Sequence, residues 1–284
     1  MGRQTESCLV SVIVTTRNNE ATIANCLNSV RQQRYRDVEV IVVDNSSSDR
    51  TREIAERLAD IVLERGPERS AQRNCGVDAS RGLCILILDS DMEISPGVVS
   101  SCVQALLADD QVRAVVVPEE SFGKGFWARC KALERSYYLG LDWMEAARFF
   151  DKETLLEVGG YDEENTGTED YDLPARIRAR YGQPSIARIE DFIYHNEGYL
   201  RFFDLLRKKY YYGKGLDIYR SREDNDSNFM AQVNLVKRFA IFFRSPRKLL
   251  DHPLVGAGML FMKPCEFGAL SLGYLCSRIN CTTH

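Results

Sequence analysis

Asp89-Ser90-Asp91 closes the apolar run Cys84-Ile85-Leu86-Ile87-Leu88. A buried strand that runs into two carboxylates is costly unless a cation meets them. Strand residues two apart point to the same side. Asp89 and Asp91 are therefore expected to converge at the strand's C-terminal end, where open α/β sheets place their ligands. Hard oxygen donors of this kind suit Mg²⁺ or Mn²⁺ carrying a phosphorylated substrate. Asp-Ser-Asp is also good turn chemistry, so on these residues alone a solvated turn competes. Two further candidates follow along the chain. Thr168-Glu169-Asp170 precedes Leu173-Pro174 and suits a helix N-terminus, where acids favour the dipole. His195 follows the apolar segment Phe192-Ile193-Tyr194, in a chain with three histidines.

The elements that must position these groups read as an alternation. Leu9 to Thr15, Val38 to Val43, Asp60 to Leu63, Leu83 to Leu88 and Ala114 to Val117 are short apolar, β-branched runs, and read as strands. Glu20 to Arg31, with Ile23, Leu27 and Val30 on one face, Arg52 to Ala59, and Ser70 to Asp78 read as helices. Ser48-Asp49-Arg50-Thr51 offers a cap for the second of these. Strands alternating with helices predict an α/β fold, a mostly parallel sheet flanked by helices. Gly123 to Ala147 reads as helical after its glycines, Pro174 to Arg180 as a basic helix, and Ile186 to His195 as a strand leading into a turn.

Composition narrows the function classes. A net charge of −4 gives no reason to expect nucleic-acid binding. Nine cysteines without CxxC spacing argue against a disulfide framework or a zinc site and favour a reducing, cytoplasmic setting. Met1 to Cys8 is polar and does not read as a signal peptide.

Five segments recur in a specific order: Ser11-Val12-Ile13-Val14-Thr15-Thr16-Arg17-Asn18, Val42-Val43-Asp44-Asn45-Ser46-Ser47-Ser48-Asp49-Arg50-Thr51, Arg73-Asn74-Cys75-Gly76, Leu88-Asp89-Ser90-Asp91, and Gly167-Thr168-Glu169-Asp170-Tyr171-Asp172-Leu173. This order resembles the family 2 glycosyltransferases, which carry the GT-A fold, from about Cys8 to His195. The family's usual opening has proline where Thr16 stands and tyrosine where Arg17 stands. The resemblance implies that Thr15, Arg17 and Glu20 lie beside the nucleotide, that Asp44 accepts a hydrogen bond from the base, and that Arg73 faces the phosphates. It implies that Asp89 contacts the ribose, that Asp91 holds Mn²⁺ or Mg²⁺, and that His195 is an additional metal ligand. Asp170 is then the catalytic base, a partly desolvated carboxylate with a raised pKa, and Glu169 orients the site or binds acceptor. Gly159-Gly160-Tyr161-Asp162 resembles the family's segment before the acceptor loop, where glycine permits a tight bend.

The expected activity is metal-dependent inverting transfer of a sugar from a nucleoside-diphosphate sugar, UDP or GDP, to a hydroxyl acceptor. Two features lie outside this pattern. Phe122-Gly123-Lys124-Gly125-Phe126-Trp127 reads as a mobile loop with Trp127 near the acceptor, or as a loop whose aromatics pack inward. From Tyr199 onward Arg201, Arg207, Lys208, Lys209, Lys214, Arg220 and Arg222 interleave with Phe and Tyr. Lys209 and Lys214 there read as phosphate or lipid-headgroup contacts, or as one face of a solvated helix. The tail from Leu254 to Ile279 is apolar but interrupted by Lys263, Pro264 and Glu266, too short in any uncharged stretch to span a bilayer. The expectation is a GT-A domain over 1–198, with a nucleotide-binding half at 8–118 and an acceptor half at 119–198. A basic-aromatic and apolar helical region follows over 199–284. This region would act at the membrane periphery on a lipid-linked or cell-surface glycan precursor, or it would pack on the domain or form a homodimer. Two other classes stand beside this one. A sugar-nucleotide pyrophosphorylase usually has a glycine-rich first loop, and Thr15 to Glu20 has no glycine. A non-catalytic binding module of the same fold would have no need of Asp89, Asp91 and Asp170.

Overall fold

The structure, a computed structural model, describes residues 8–165, 167–214 and 235–281. Met1 to Ser7, Arg220, Arg222 and the three C-terminal residues lie outside the described residues. In chain order the elements are β1 (Val10–Thr16), α1 (Ile23–Arg31), β2 (Val38–Asp44), α2 (Thr51–Leu58), β3 (Ile61–Glu64), α3 (Arg69–Ala79), β4 (Cys84–Asp89), β5 (Met92–Ile94), α4 (Val98–Ala108), β6 (Ala114–Val116), β7 (Glu119–Lys124), α5 (Phe126–Ser136), β8 (Ala147–Asp151), α6 (Lys152–Glu157), α7 (Glu169–Tyr181), β9 (Ile186–Arg188), β10 (Ile193–Tyr199), α8 (Phe202–Lys214), α9 (Leu235–Phe243), α10 (Pro246–Asp251) and α11 (Pro253–Cys281). They divide into two compact units. The first comprises residues 1–119, 145–163 and 169–195, and the second comprises 120–144, 164–168 and 196–284.

The first unit is built on a seven-stranded sheet of order β3-β2-β1-β4-β8-β6-β9. Strands β1 to β4 are parallel, β6 pairs parallel with β9, and β8 alone runs antiparallel to both of its neighbours. Alternation along each strand feeds two cores. Val10, Val12, Val14, Leu86 and Leu88 pack on one face with α1 and α4, while Ile13, Ile41, Ile85 and Ile87 pack on the other. Burial on both faces is why these strands read as near-continuous apolar runs. The chain steps outward from β1 to β3 and then crosses to β4 on the other side of β1. This creates a topological switch point between β1 and β4, where open sheets bind their ligands.

Several boundaries differ from the sequence reading. The helix expected from Pro174 starts at Glu169, with Pro174 inside it. Its acidic first turn, Glu169, Asp170 and Asp172, outweighs the proline as a start signal. Ile186 to His195 is two strands, with Ile193–His195 pairing antiparallel to β5. Phe122 to Trp127 is not a loop: Phe122 and Lys124 belong to β7, and Trp127 lies in the first turn of α5.

The second unit gathers α5 with the C-terminal helices. Cys130, Tyr137, Leu205, Ile241, Phe242, Val255, Met259 and Met262 form its core. The tail is one helix, α11, which runs through Lys263, Pro264 and Glu266, the residues read from sequence as interruptions. α8 crosses α11 where Gly213 and Gly273 meet. A Cβ on either would fall 2.1 Å from a carbonyl oxygen of the other helix, so only glycine allows this approach. No helix among the described residues is long and apolar enough to cross a membrane.

A buried ionic quartet ties α5 to α11. Lys131 Nζ lies 2.9 Å from both Glu134 and Glu266, and Lys263 Nζ lies 2.6 Å from Glu134 and 2.7 Å from Glu266. Two cations and two anions close the set. Lys209 approaches it as a fifth, unbalanced charge, and burial together with Lys131 pushes its amine down to about 7. An unfolded lysine keeps its proton to about pH 10. The unfolded chain therefore binds more protons across the interval between about 7 and 10, and stability from this group rises with pH there. Lys209→Met is expected to raise the melting temperature at pH 7 by a few degrees and to flatten that rise. Thermal melts at pH 7 and pH 9 check it.

Candidate active site

The two loops at the C-terminal ends of β1 and β2 are laced together. Asn18 and Asn19 donate their backbone N–H groups to Ser47 Oγ at 2.8 Å and Thr51 Oγ1 at 2.7 Å. Glu20 accepts from the Arg50 N–H at 3.0 Å, and Asp49 accepts from the N–H groups of Glu20 and Thr51. Asp49 thus meets the first N–H of α2 from one position outside the N-cap, Arg50, whose side chain makes no cap bond. Asp44 is buried, and both its oxygens accept from Ser47, from the N–H at 2.8 Å and the hydroxyl at 2.5 Å. Arg17 and Glu20 are exposed on the first of these loops. Asn19 Nδ2 reaches Ser90 Oγ at 2.7 Å and joins that loop to Asp89-Ser90-Asp91.

Asp89 ends β4 beside Thr15, its partner across the parallel ladder. It accepts from Thr15 Oγ1 at 2.9 Å and pairs with Arg73 at 3.3 Å and Arg69 at 3.5 Å. Burial works to raise its pKa, but Arg73 and Arg69 hold it well below the ordinary aspartate range. Asp91 is different. Its Oδ1 is buried and accepts no hydrogen bond. Its Oδ2 lies 3.4 Å from His195 Nε2, and His195 Nδ1 lies 3.7 Å from Glu119. An anionic oxygen buried without a donor is the mark expected of a cation ligand, and an imidazole beside it completes a pair of donors. Asp91 and His195 therefore fit a divalent metal. Among the described residues no cluster of three or more His, Cys, Asp or Glu side chains could hold a metal ion. Such a metal would take its remaining ligands from substrate oxygens and water, as Mg²⁺ and Mn²⁺ commonly do.

Asp170 sits in the first turn of α7, 2.7 Å from Arg73 and 3.3 Å from Arg148. The resemblance implies a raised pKa here. Burial does push that way, but Arg148 and Arg73 overcome it and hold the carboxyl below its usual value. Glu169 is buried and pairs with Arg69 at 2.9 Å. Arg73, read from sequence as facing phosphates, is completely buried between Asp89 and Asp170, with Tyr161 under its guanidinium at 4.9 Å. The rest of its motif is structural. Asn74 brackets the Tyr161 backbone, donating to its carbonyl and accepting from its N–H. Gly76 lets α3 lie against Ile13, where a Cβ would come within 2.4 Å. Gly159 and Gly160 both take positive φ, 85° and 65°, as the expected bend requires.

Arg148 and Glu119 were not legible as site residues. Arg148 lies in the apolar run Ala147 to Phe150, and a buried charge within such a strand is the one signal that marks it. Arg148 pairs with Glu119 at 2.8 Å and with Asp170 at 3.3 Å. The chain Asp91–His195–Glu119–Arg148–Asp170 therefore connects the Asp91–His195 pair with the carboxylate of α7. Arg148→Met removes the largest influence that lowers the Asp170 pKa. The acid limb of any activity that needs ionised Asp170 should move to higher pH. The loss of one partner from a buried pair should cost about 3–5 kcal/mol of stability. A pH–rate profile and a denaturant melt read the two effects separately.

Trp127, Lys209 and Lys214 belong to the second unit. Trp127 packs on Phe202 at 4.5 Å and Phe261 at 6.4 Å, the inward-packed alternative of the two considered for it. Lys214 is exposed, over the Tyr210 ring at 5.1 Å.

Residues 11–173 match the sequence model of glycosyl transferase family 2. The chain belongs to this family. Among curated relatives, protein y4gI of Sinorhizobium fredii is 26% identical over 200 residues, 66% of this chain and 22% of that protein. The GalNAc(5)-diNAcBac-PP-undecaprenol beta-1,3-glucosyltransferase of Campylobacter jejuni is 28% identical over 179 residues, 56% of this chain and 57% of that protein. The chain thus spans between about a fifth and three fifths of the length of these relatives. The mannosyltransferase PcManGT of Pyrobaculum calidifontis, solved with GDP-Man and Mn²⁺, superposes with a TM-score of 0.61. It is 18% identical, and the match covers 96% of this chain and 88% of that one. At that identity the likeness is one of fold, and the fold is GT-A.

Proposed function

We propose that this family 2 member is a metal-dependent inverting glycosyltransferase. It moves a sugar from a UDP- or GDP-sugar to a hydroxyl of a lipid-linked or cell-surface glycan precursor. The observation that carries the reading is Asp91, with its undonated Oδ1 and His195 beside it, at the strand end next to the β1/β4 switch point. The relative from Campylobacter jejuni, named for an undecaprenol-diphosphate-linked glycan, supports the acceptor class.

Asp91 and His195 would hold Mn²⁺ or Mg²⁺, which when bound neutralises charge on a departing diphosphate. Arg17, Glu20 and Asp44 border the place for the base, and Thr15 and Asp89 that for the ribose. Asp170 takes the proton of the acceptor hydroxyl as that oxygen attacks the anomeric carbon. The bond from that carbon to the diphosphate oxygen breaks on the opposite face. With Arg73 and Arg148 against it, Asp170 is ionised throughout the neutral range and is a modest base. The proton therefore passes late, once the attacking oxygen has become acidic. Arg69 fixes Glu169 beside it to orient the acceptor.

The test is direct. The protein is incubated with UDP- and GDP-sugars, Mn²⁺ and polyprenyl-diphosphate-linked sugar acceptors. Nucleoside diphosphate release is followed, and NMR gives the anomeric configuration of the product. Release from one donor, with inversion, is expected; retention of configuration would remove Asp170 from the role of base in a direct displacement.

A further inference from the structure

α11 wears its polarity inside out. Between Leu254 and Leu275 its only charged residues are Lys263 and Glu266, and both are buried in the quartet with Lys131 and Glu134. The positions turned to solvent over the same span are Leu254, Ala257, Phe261, Pro264, Gly268, Ser271, Leu272 and Leu275. Leu254 is 80% exposed, Phe261 58%, Leu272 59% and Leu275 54%. At 3.6 residues per turn these side chains fall along one face, about 32 Å long. A helix facing water places its charges on that face and its apolar stripe inward, and an exposed apolar strip of this length marks an interaction surface.

The neighbouring groups say what covers it. α8, locked to α11 at the Gly213–Gly273 crossing, exposes Arg207, Lys208 and Lys214 with Phe203 and Tyr211, and Asp204 is its single acid. Arg201 before α8, and Arg244 and Arg247 around the start of α10, are exposed as well, with Phe243 and Leu250. A second copy of this surface would bring like charges together. An anionic lipid surface attracts each of them and receives the apolar stripe among its acyl chains. The paired charges at the middle of α11 rule out a spanning orientation for it and leave the in-plane one. We propose that the second unit docks on an anionic bilayer, with α11 lying in the interface and its Leu254–Leu275 face sunk below the headgroups.

The full chain is tested by co-sedimentation with vesicles of phosphatidylcholine alone and of phosphatidylcholine mixed with phosphatidylglycerol. A chain ending near Asn196 would strip α5 of the helices it packs on, so point variants are used. The first combines Leu254→Ser, Leu272→Ser and Leu275→Ser. The second combines Arg207→Glu and Lys208→Glu. These residues are exposed, and unchanged melting temperatures would certify the fold of both. The wild-type protein is expected to sediment with the anionic vesicles and release at high salt. Partitioning should fall roughly a hundredfold in the first variant and roughly tenfold or more in the second. Absence of wild-type binding to anionic vesicles would overturn the proposal, as would binding unchanged in the first variant. Light scattering supplies the remaining outcome: a dimer that the first variant dissolves, without vesicle binding, would assign the face to a second copy. The assay needs no sugar donor, so its outcome stands apart from the catalytic reading.

Discussion

Asp170→Asn is expected to lower sugar transfer by about 10²–10⁴-fold while metal-dependent nucleotide binding persists. The amide cannot take a proton from the acceptor hydroxyl, yet it keeps the shape of the carboxylate. The change also takes one anion from between Arg73 and Arg148, which lie 2.7 and 3.3 Å from it. Breaking a buried pair by removing one partner typically costs about 3–5 kcal/mol, so some loss of stability should accompany the loss of rate. Nucleotide binding, measured by titration calorimetry, separates the two effects. A variant that binds donor normally and does not transfer has lost its base. A variant that transfers normally shows that another group accepts the proton. The depressed pKa values of Asp89 and Asp170 give this network a pH signature. Its contribution to stability is fully present above the ordinary aspartate pKa of about 3.9 and is lost as pH falls through the lower folded values.

Asp91→Asn should be the second large effect, and a different one. Asp91 has no arginine or lysine paired with it among the described ion pairs: its Oδ1 accepts no hydrogen bond and its Oδ2 faces His195 at 3.4 Å. Neutralising it should leave the fold unharmed, with a melting temperature equal to or above that of the wild type. Transfer should fall by about 10³-fold, because a bound metal is worth several kcal/mol of charge stabilisation at a leaving group. The contrast with Asp170→Asn is the useful part. One substitution removes an anion that two arginines already need, and the other removes an anion whose Oδ1 accepts no hydrogen bond and whose Oδ2 faces only the His195 imidazole among the described ion pairs. Transfer and unfolding, measured on both variants, should show a stability cost only for Asp170→Asn.

What was legible in the sequence follows from which forces are local. The first unit's strands alternate burial on both faces, so Val10 to Thr16 and Cys84 to Asp89 announce themselves as apolar runs ending in polar groups. The carboxylates at the strand end and their order relative to Arg73-Asn74 and Glu169-Asp170 were equally plain. The partners of those carboxylates were not. Arg148 reaches Asp170 from a strand that is antiparallel to β4, and no sequence period reports that approach. The lowered pKa of Asp170 was missed for the same reason: desolvation could be anticipated, but the two guanidinium groups that overcome it come from α3 and β8. In the second unit the charges at Lys263 and Glu266 looked like interruptions of an apolar tail. They are the inward face of one continuous helix, matched by Lys131 and Glu134 more than 120 residues earlier. A pairing at that separation is fixed by tertiary packing, and only the three-dimensional arrangement reveals it.

The most direct test of the central claim is a thermal-shift panel of UDP, GDP and their sugars, each with Mn²⁺ and with EDTA, on the wild-type protein and on Asp91→Asn. A ligand that binds only the native state raises the melting temperature by mass action. The account predicts stabilisation of the wild type by one nucleotide with Mn²⁺, its loss in EDTA, and its loss in Asp91→Asn. Stabilisation that is equal with and without metal, or undiminished in Asp91→Asn, would contradict the assignment of Asp91 as the metal ligand.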